Sequence, residues 1–365
     1  MKEIWTPKFT ITPAINSKLM KAEAIRTAID SMPIPAAIEA EIRHSIRVRA
    51  THYSTYIEGN RLTLRETEQV ITKKKVSFFG RERDVKEVQN YWDALINVEE
   101  WSDSKTELSE TLIKRIHAMA HAGKKSKPTP YRDGQNVIKD SKSGNIVYMP
   151  PEAKDVPGLM KEMTSWIIQA EKDELAVPII AGLAHYQFVT IHPYFDGNGR
   201  TARLLATYIL QKNNYGLHGL FSMEEHHAKE IGKYYKALET HPHHNYYEGR
   251  AEADLTGWVD YFVSMLLKAY EGVKTETAGM KKGEKKIDAD LFRQLDRRAK
   301  IVIPLFKDNA EITSGDIANI LRVSRRMAGN YAGEWIKKGI IEIANESDKA
   351  RTYKLSKRYE KVFKG

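Results

Sequence analysis

Cysteine is absent from the 365 residues of the chain, and its absence removes whole classes of chemistry. Disulfides, thiolate metal sites and cysteine nucleophiles are all excluded. Any reaction must therefore depend on histidines, carboxylates, hydroxyls and groups that bind phosphate. Long apolar runs are missing as well, since no stretch of eighteen apolar residues occurs, and the sequence predicts no membrane-spanning helix.

The first residues, MKEIWTPKFTITP, also lack the apolar stretch of a signal peptide. We therefore expect a cytoplasmic protein without a membrane partner.

Positive charge is scarce over most of the chain and concentrated near its end. The whole chain has a net charge of +10, and the segment from Lys281 to Gly365 holds 21 Lys and Arg against 12 Asp and Glu, a net of +9. A basic segment favours contact with nucleic acid or with an acidic protein surface. A merely solvated surface is the alternative.

Alternating strand patterns are also scarce, whereas helical periodicity recurs in Ala36–His52, Lys86–Trp101, Glu107–Ala122 and Leu175–Ile191. The exception is Asn136–Tyr148, where two β-rich runs flank Ser-Lys-Ser-Gly-Asn and predict a β-hairpin. The fold class is therefore mainly α with a small hairpin.

A polar, glycine-containing stretch at 274–288 predicts a linker to a separate domain at 289–365. The sequence predicts that this domain is a winged helix-turn-helix. Its predicted elements are the helices Ser314–Leu321 and Arg325–Lys338, a cap at Ser324, and the strands Ile340–Ala344 and Thr352–Leu355. Its cations suit contacts to DNA phosphates or base edges; they are Arg325, Arg326, Lys349, Arg351 and Lys354. Docking to a protein is the alternative.

The segment HPYFDGNGRTAR, from His192 to Arg203, lies between two strongly apolar helical patterns. Pro193 stops the first helix, while Gly197 and Gly199 allow positive φ and close approach of the backbone to a ligand. The next helix is expected to begin at Arg200. Backbone N–H groups at such a turn converge on an anion, so the segment predicts a phosphate cradle.

Two side chains of this loop suit a phosphate reaction. Asp196 is a hard oxygen ligand for magnesium, and His192 has the solution pKa of a general base. Arg200 and Arg203 are three residues apart and can both reach a polyphosphate. The competing interpretation is a tight connection between helices with a histidine cap.

The same residues resemble the signature of the Fic family: His, Pro, an aromatic, any residue, an acid, Gly-Asn-Gly-Arg, two residues and Arg. The sole departure is Tyr194, where phenylalanine is usual. The resemblance implies a helical Fic core and transfer of AMP from magnesium-bound ATP to a Ser, Thr or Tyr hydroxyl of a protein, which can be the enzyme itself. It also implies the division 1–106 N-terminal helical region, 107–273 catalytic core, 274–288 linker and 289–365 winged helix.

The resemblance assigns roles residue by residue. His192 would be the base, Asp196 the magnesium ligand, and Asn198 with the backbone of Gly197 and Gly199 the anion hole; Arg200 and Arg203 would hold the β- and γ-phosphates. The hairpin would be the flap that docks the target, through Asn136, Val137 and Ile138. Tyr234 and Tyr235 would stack on adenine, unless they belong to the core.

A second motif, STYIEGN, places Ser54 and Glu58 on one helix face before a stop at Gly59. A carboxylate in a last helical turn opposes the helix dipole, so a cation should receive it. The motif resembles the inhibitory helix of one Fic class. The resemblance implies that Glu58 pairs with Arg203 and occupies the place of the γ-phosphate.

Two other functions stay open for the same residues. The pocket can remove AMP from modified proteins, with Glu58 orienting a water. It can also only sense nucleotide within a DNA-binding regulator. A homodimer is an expectation from the family alone.

Overall fold

The computed structural model describes residues 5–32, 34, 36–72, 76–139, 143–278, 295–307, 309–321, 323–345 and 351–364. Its fold is mainly α, as the sequence predicts. The first eleven helices are α1 (Pro13–Asp30), α2 (Ala36–Ile57), α3 (Leu64–Thr72), α4 (Glu82–Asp103), α5 (Glu110–Ala122), α6 (Val156–Lys172), α7 (Val177–Ile191), α8 (Asn198–Lys212), α9 (Glu224–Lys229), α10 (Ile231–Leu238) and α11 (Thr256–Ala278).

Helix α7 lies at the centre of the fold. Its residues are buried except Val177 and Val189, which are half-buried, and it packs against α6, α8 and α11. A helix that is apolar on all sides belongs inside a core. Helix α8 packs in turn on α4 and α5, so the short connection between α7 and α8 is anchored at both ends by buried helices.

The predicted hairpin is present between α5 and α6. Strand β1 (Ile138–Lys139) pairs antiparallel with β2 (Ile146–Tyr148). Residues 140–142, which include the first two residues of the predicted turn, lie outside the described residues. The side chains of Val137, Ile146 and Val147 are exposed, so the hairpin presents an apolar surface.

The C-terminal part contains α12 (Arg297–Val302), β3 (Ile312–Thr313), α13 (Ser314–Ile320), α14 (Arg325–Lys337), β4 (Ile341–Asn345), β5 (Thr352–Leu355) and α15 (Lys357–Lys364). The three strands form one antiparallel sheet in the order β3-β5-β4. Ser324 caps α14 by accepting the Met327 N–H at 3.2 Å, because its extended backbone turns the hydroxyl back onto the first turn. Lys349 and residues 279–288 of the predicted linker lie outside the described residues.

Two hydrophobic clusters organise the described residues. The first joins α1 with the helices around α7. The second joins apolar side chains of α2, α3 and α4 to those of the C-terminal part, among them Val48, Val70, Trp92, Phe306, Leu321 and Trp335. Helix α2 therefore contributes to both clusters, through Ile46 and Ala50 on one side and Ala40 and Val48 on the other.

None of the helices in the described ranges combines the length and the apolar character that crossing a membrane requires.

Candidate active site

The loop between α7 and α8 turns twice through left-handed backbone. His192 ends α7 with φ 51° and ψ 59°, and Gly197 precedes α8 with φ 82°. Helix α8 begins at Asn198, two residues earlier than the sequence analysis expected, because the positive φ at Gly197 reverses the chain within one residue. Arg200 therefore lies in the first turn of α8 and Arg203 in the second.

The side chain of Asn198 stabilises the loop through two hydrogen bonds with the backbone of Tyr194. Its Oδ1 accepts the Tyr194 N–H at 3.0 Å, and its Nδ2 donates to the Tyr194 carbonyl at 2.7 Å. One N–H of the amide and its oxygen are thus bonded within the loop, and the backbone N–H at the start of α8 is a further donor for an anion. The first N–H groups of a helix have no partner within that helix, so the start of α8 presents donors and the positive end of its dipole to the loop.

His192 is held as a neutral imidazole. Its Nδ1 lies 3.3 Å from the Val189 carbonyl, and since a carbonyl only accepts, Nδ1 carries the proton and Nε2 the lone pair. Burial lowers the pKa of His192 to about 4. At neutral pH the side chain can therefore accept a proton at Nε2.

Asp196 is the exposed carboxylate of the loop. Its Oδ1 accepts the Gly197 N–H at 2.6 Å and lies 3.3 Å from Nη2 of Arg200. Its Oδ2 lies 3.5 Å from Nδ1 of His121. Although burial opposes ionisation, Arg200 and the Gly197 N–H hold the pKa of Asp196 below its ordinary value, so it is ionised at neutral pH.

Arg200 and Arg203 are both buried. The Nε atom of Arg200 has no hydrogen-bond partner among the described residues. Arg203 is held by the end of α2: its Nε donates to Ser54 Oγ, and its Nη2 donates to the Ser54 carbonyl and to Glu58 Oε1, each at 2.8 Å. Its Nη1 has no hydrogen-bond partner among the described residues.

Glu58 lies in the turn just after α2, which ends at Ile57, rather than in the last helical turn. Gly59, with φ 89°, makes that turn, and the carboxylate reaches across the start of α8. A Cβ built on Gly199 would overlap Glu58 Oε1. The structure therefore brings Ser54 and Glu58 together with Arg203, which is 149 and 145 positions away from them in sequence.

Comparison with known proteins agrees with this geometry. Residues 107–210 match the model of the Fic/DOC family, and they contain the whole loop. This segment is therefore similar to a Fic domain. A crystal structure of a Fic family protein from Desulfovibrio desulfuricans covers 97% of this chain and 99% of its own, with 25% identity and a TM-score of 0.61. A Fic domain protein from Bacteroides thetaiotaomicron covers 73% of this chain with 20% identity and a TM-score of 0.62.

Curated relatives of the Fic domain bear the name "Protein adenylyltransferase Fic". The protein from Nematostella vectensis is 28% identical over 192 residues, which is 51% of this chain and 41% of its own. That from Drosophila grimshawi is 26% identical over 201 residues, which is 54% of this chain and 40% of its own. The chain thus spans about two fifths of the length of these relatives.

The β-hairpin of the Fic domain is tied to the loop. Asn136 Nδ2 donates to the Tyr194 carbonyl at 3.1 Å, and Val137 and Ile138 follow into β1. The hydrogen bond therefore places Asn136, the first of the three residues named as the flap, beside the loop.

The two tyrosines of α10 have different surroundings. Tyr234 is 2% exposed and its hydroxyl contacts Nε2 of His185 at 3.2 Å, which places its ring inside the core. Tyr235 is 48% exposed, and its hydroxyl donates to the Ile57 carbonyl at 3.4 Å. Stacking on adenine by Tyr234 is not compatible with this burial, so Tyr235 alone presents a ring to a ligand.

Two residues that the sequence analysis missed hold the loop from outside. The buried Arg132 donates from Nε to the His192 carbonyl at 3.0 Å and from Nη1 to the Gly134 carbonyl at 3.0 Å. His117 donates from Nε2 to the Asp196 carbonyl at 2.8 Å, and its ring stacks on Tyr194 with centroids 3.6 Å apart. The spacing of His117 and His121 on one face of α5 was the available signal; Arg132 offered none.

Proposed function

We propose that this chain is a protein AMP transferase, which moves AMP from ATP to a Ser, Thr or Tyr hydroxyl of a target protein and is restrained by Glu58. The observation that carries the proposal is the contact of Glu58 with Arg203. A buried cation at a phosphate-type loop is neutralised by a carboxylate from a distant helix, which is where an anionic ligand would otherwise lie. The names of the curated relatives support AMP transfer.

The chemistry would proceed as follows. The target hydroxyl gives its proton to Nε2 of His192, and its oxygen attacks the α-phosphorus of ATP. The bond from that phosphorus to the bridging oxygen breaks, and pyrophosphate leaves. The neutral state and fixed tautomer of His192 suit this step, because a base must be deprotonated before it acts.

The phosphate chain would lie against the N–H groups at the start of α8, with Arg200 and Arg203 as cations. Asp196 fits magnesium: it is an ionised, half-exposed carboxylate beside this anion site, and Mg²⁺ commonly takes one or two carboxylates and completes its shell with phosphate oxygens and water. Bound there, magnesium would neutralise charge on the phosphates. We assign the adenine contact to Tyr235 and the target contact to the edge of the hairpin, through strand addition.

The proposal is tested by incorporation of label from α-labelled ATP with magnesium into protein. Wild type, Glu58→Gly and the double variant Glu58→Gly with His192→Ala are compared. We expect little label with wild type, more than tenfold as much with Glu58→Gly, and none with the double variant. Equal label in wild type and Glu58→Gly would contradict the restraint, and no label in any variant would contradict the transferase.

Removal of AMP is a second candidate, because the side chain of Glu58 keeps 28% of its surface exposed while Oε1 holds Arg203. Such a carboxylate can orient a water. A protein carrying labelled AMP distinguishes the two roles: release by wild type that Glu58→Gly abolishes would establish hydrolysis.

For the C-terminal part we propose a winged helix that binds DNA. Arg325 and Arg326 are exposed at the start of α14, the position of a recognition helix. Arg351 directly precedes β5, and Lys354 lies within it. Binding to duplex DNA that weakens steeply with salt, and less steeply in Arg325→Ala, would support this role; salt-insensitive binding to a protein would support docking. The cytoplasmic location and the homodimer remain predictions.

A further inference from the structure

A cavity of about 370 Å³ opens beside Asp196 on the side of α4. Its lining includes Arg83, Lys86, His121, Asp196 and Arg200. Arg83 and Lys86 stand in the first turns of α4 with exposed side chains. Neither residue lies in the segment that matches the Fic/DOC model, 107–210.

The cavity is continuous with the phosphate loop. Nη2 of Arg83 lies 3.9 Å from Oδ2 of Asp196, and Arg200 contacts the other oxygen of the same carboxylate. Arg200 is 1% exposed, and its Nε has no hydrogen-bond partner among the described residues. An anion held by Arg200 can therefore extend along α4 towards Arg83.

The charges around the cavity favour an anion that extends from Arg200 towards Arg83 while Glu58 holds Arg203. The carboxylate of Glu58 occupies Arg203 and overlaps the space next to Gly199, so a terminal phosphate placed there would meet a like charge instead of a cation. On the α4 side, Arg83, Lys86 and Arg200 outnumber the carboxylates of Glu87 and Asp196 in the lining. The exposed Arg83 side chain pairs with Glu87 at 3.0 Å and more loosely with Asp196 at 3.9 Å, and ion pairs of an exposed cation exchange partners at small cost.

We propose that Arg83 and Lys86 form a second phosphate subsite, which receives the terminal phosphate of ATP while Glu58 holds Arg203. This inference rests on the proposed function. With this subsite, the restrained protein can bind ATP without transferring AMP. The triphosphate stays bound to Arg200, and its terminal phosphate lies towards α4. When Glu58 is removed, the terminal phosphate binds Arg203 instead and no longer occupies the subsite formed by Arg83 and Lys86.

The test is calorimetric titration of Mg-ATP into four proteins: wild type, Arg83→Ala, Glu58→Gly and the double variant. Losing a charge-assisted contact should weaken binding by about tenfold. We expect that loss for Arg83→Ala in wild type and less than twofold in the Glu58→Gly background, with Lys86→Ala changing in the same direction. Both side chains are exposed, so their removal leaves the core intact.

Arg61→Ala is the matched control. Arg61 is an exposed cation that pairs with Asp84 at 3.3 Å and lies outside the cavity lining, so its variant should bind Mg-ATP like wild type. Equal weakening by Arg83→Ala in both backgrounds, or none in wild type, would overturn the subsite alone if Glu58→Gly still incorporates label. Failure of every protein, including Glu58→Gly, to bind Mg-ATP would overturn the proposed function with it.

Discussion

At the scale of single residues, burial shifts the pKa of a side chain in this site as much as neighbouring charges do. His192 is the clearest case, since desolvation lowers its pKa to about 4 while the negative charge of Glu58 acts in the opposite direction. A buried imidazole resists protonation because the cation loses its hydration. The residue is thus a weaker base than free histidine but is fully deprotonated at neutral pH.

We therefore expect the acid limb of kcat/KM for Glu58→Gly to lie well below pH 6.5. The proposed reaction requires neutral His192 and is lost as pH falls through its pKa, so a lowered pKa moves the loss to lower pH. The rate of label incorporation measured from pH 4.5 to 8 checks this expectation. A limb centred near pH 6.5 would show that the catalytic imidazole is hydrated as in solution.

Gly199 gives a second prediction. A methyl group there would occupy the space of the Glu58 carboxylate, which is the proposed place of the γ-phosphate. In the Glu58→Gly background, Gly199→Ala should lower label incorporation at least tenfold, because the opened space is filled again. Gly272→Ala is the control, since a Cβ at this helical position meets no atom within 4 Å; it should keep the activity of its parent.

Residue types and spacing were enough to locate His192, Asp196, Arg200 and Arg203, because they lie within twelve residues. The partnership of Glu58 with Arg203 came from the resemblance to the Fic family, since periodicity says nothing about contacts between distant helices. Tyr234 shows the limit: two adjacent aromatic residues on a helix point in different directions, and only packing decides which one is buried.

At the scale of elements, the loop between α7 and α8 is stabilised by side chains from α5, from the hairpin region and from α8. They are His117, Asn136 and Asn198. These contacts were only partly predictable: the spacing of His117 and His121 marks one face of α5, but the bonds themselves join side chains to backbone groups, which carry no sequence signal. The start of α8 was predicted two residues late for a related reason. Asn198 is a poor helix former, but here its side chain stabilises the preceding loop instead of competing with the helix.

Asn198→Ala should therefore destabilise the fold by about 1–3 kcal/mol, because the Tyr194 N–H loses its partner and the Tyr194 carbonyl keeps only the bond from Asn136. Urea unfolding followed by circular dichroism measures the change. Asn97→Ala is the control, since Asn97 makes one bond to the Asp93 carbonyl of its own helix at 2.8 Å, and its cost should stay below about 1 kcal/mol. Similar losses for both variants would contradict the structural role of Asn198.

At the scale of the whole molecule, the sequence predicted a separate C-terminal domain after a linker. Its helices and strands follow the predicted order, but its apolar side chains join α2, α3 and α4 in one cluster. An ion pair between Arg298 and Glu100, at 2.5 Å, lies in the same region. Periodicity could not reveal this packing, because the outer faces of α2 and α4 look like ordinary amphipathic surfaces.

We expect the full chain to unfold in one thermal transition, because α2 belongs to both hydrophobic clusters and cannot leave one without disturbing the other. Scanning calorimetry should give a calorimetric enthalpy equal to the van't Hoff enthalpy. Two well-separated transitions would show that the clusters are energetically independent.

The double membership of α2 also limits how such a protein can evolve. A gene fusion that joined this Fic domain to another C-terminal module at residues 274–288 would leave Val48, Val70 and Trp92 without their partners. A new C-terminal module would need an apolar surface that is complementary to α2, α3 and α4, or it would have to be inherited together with these helices. Descent of α2 should therefore follow the C-terminal module rather than the loop between α7 and α8.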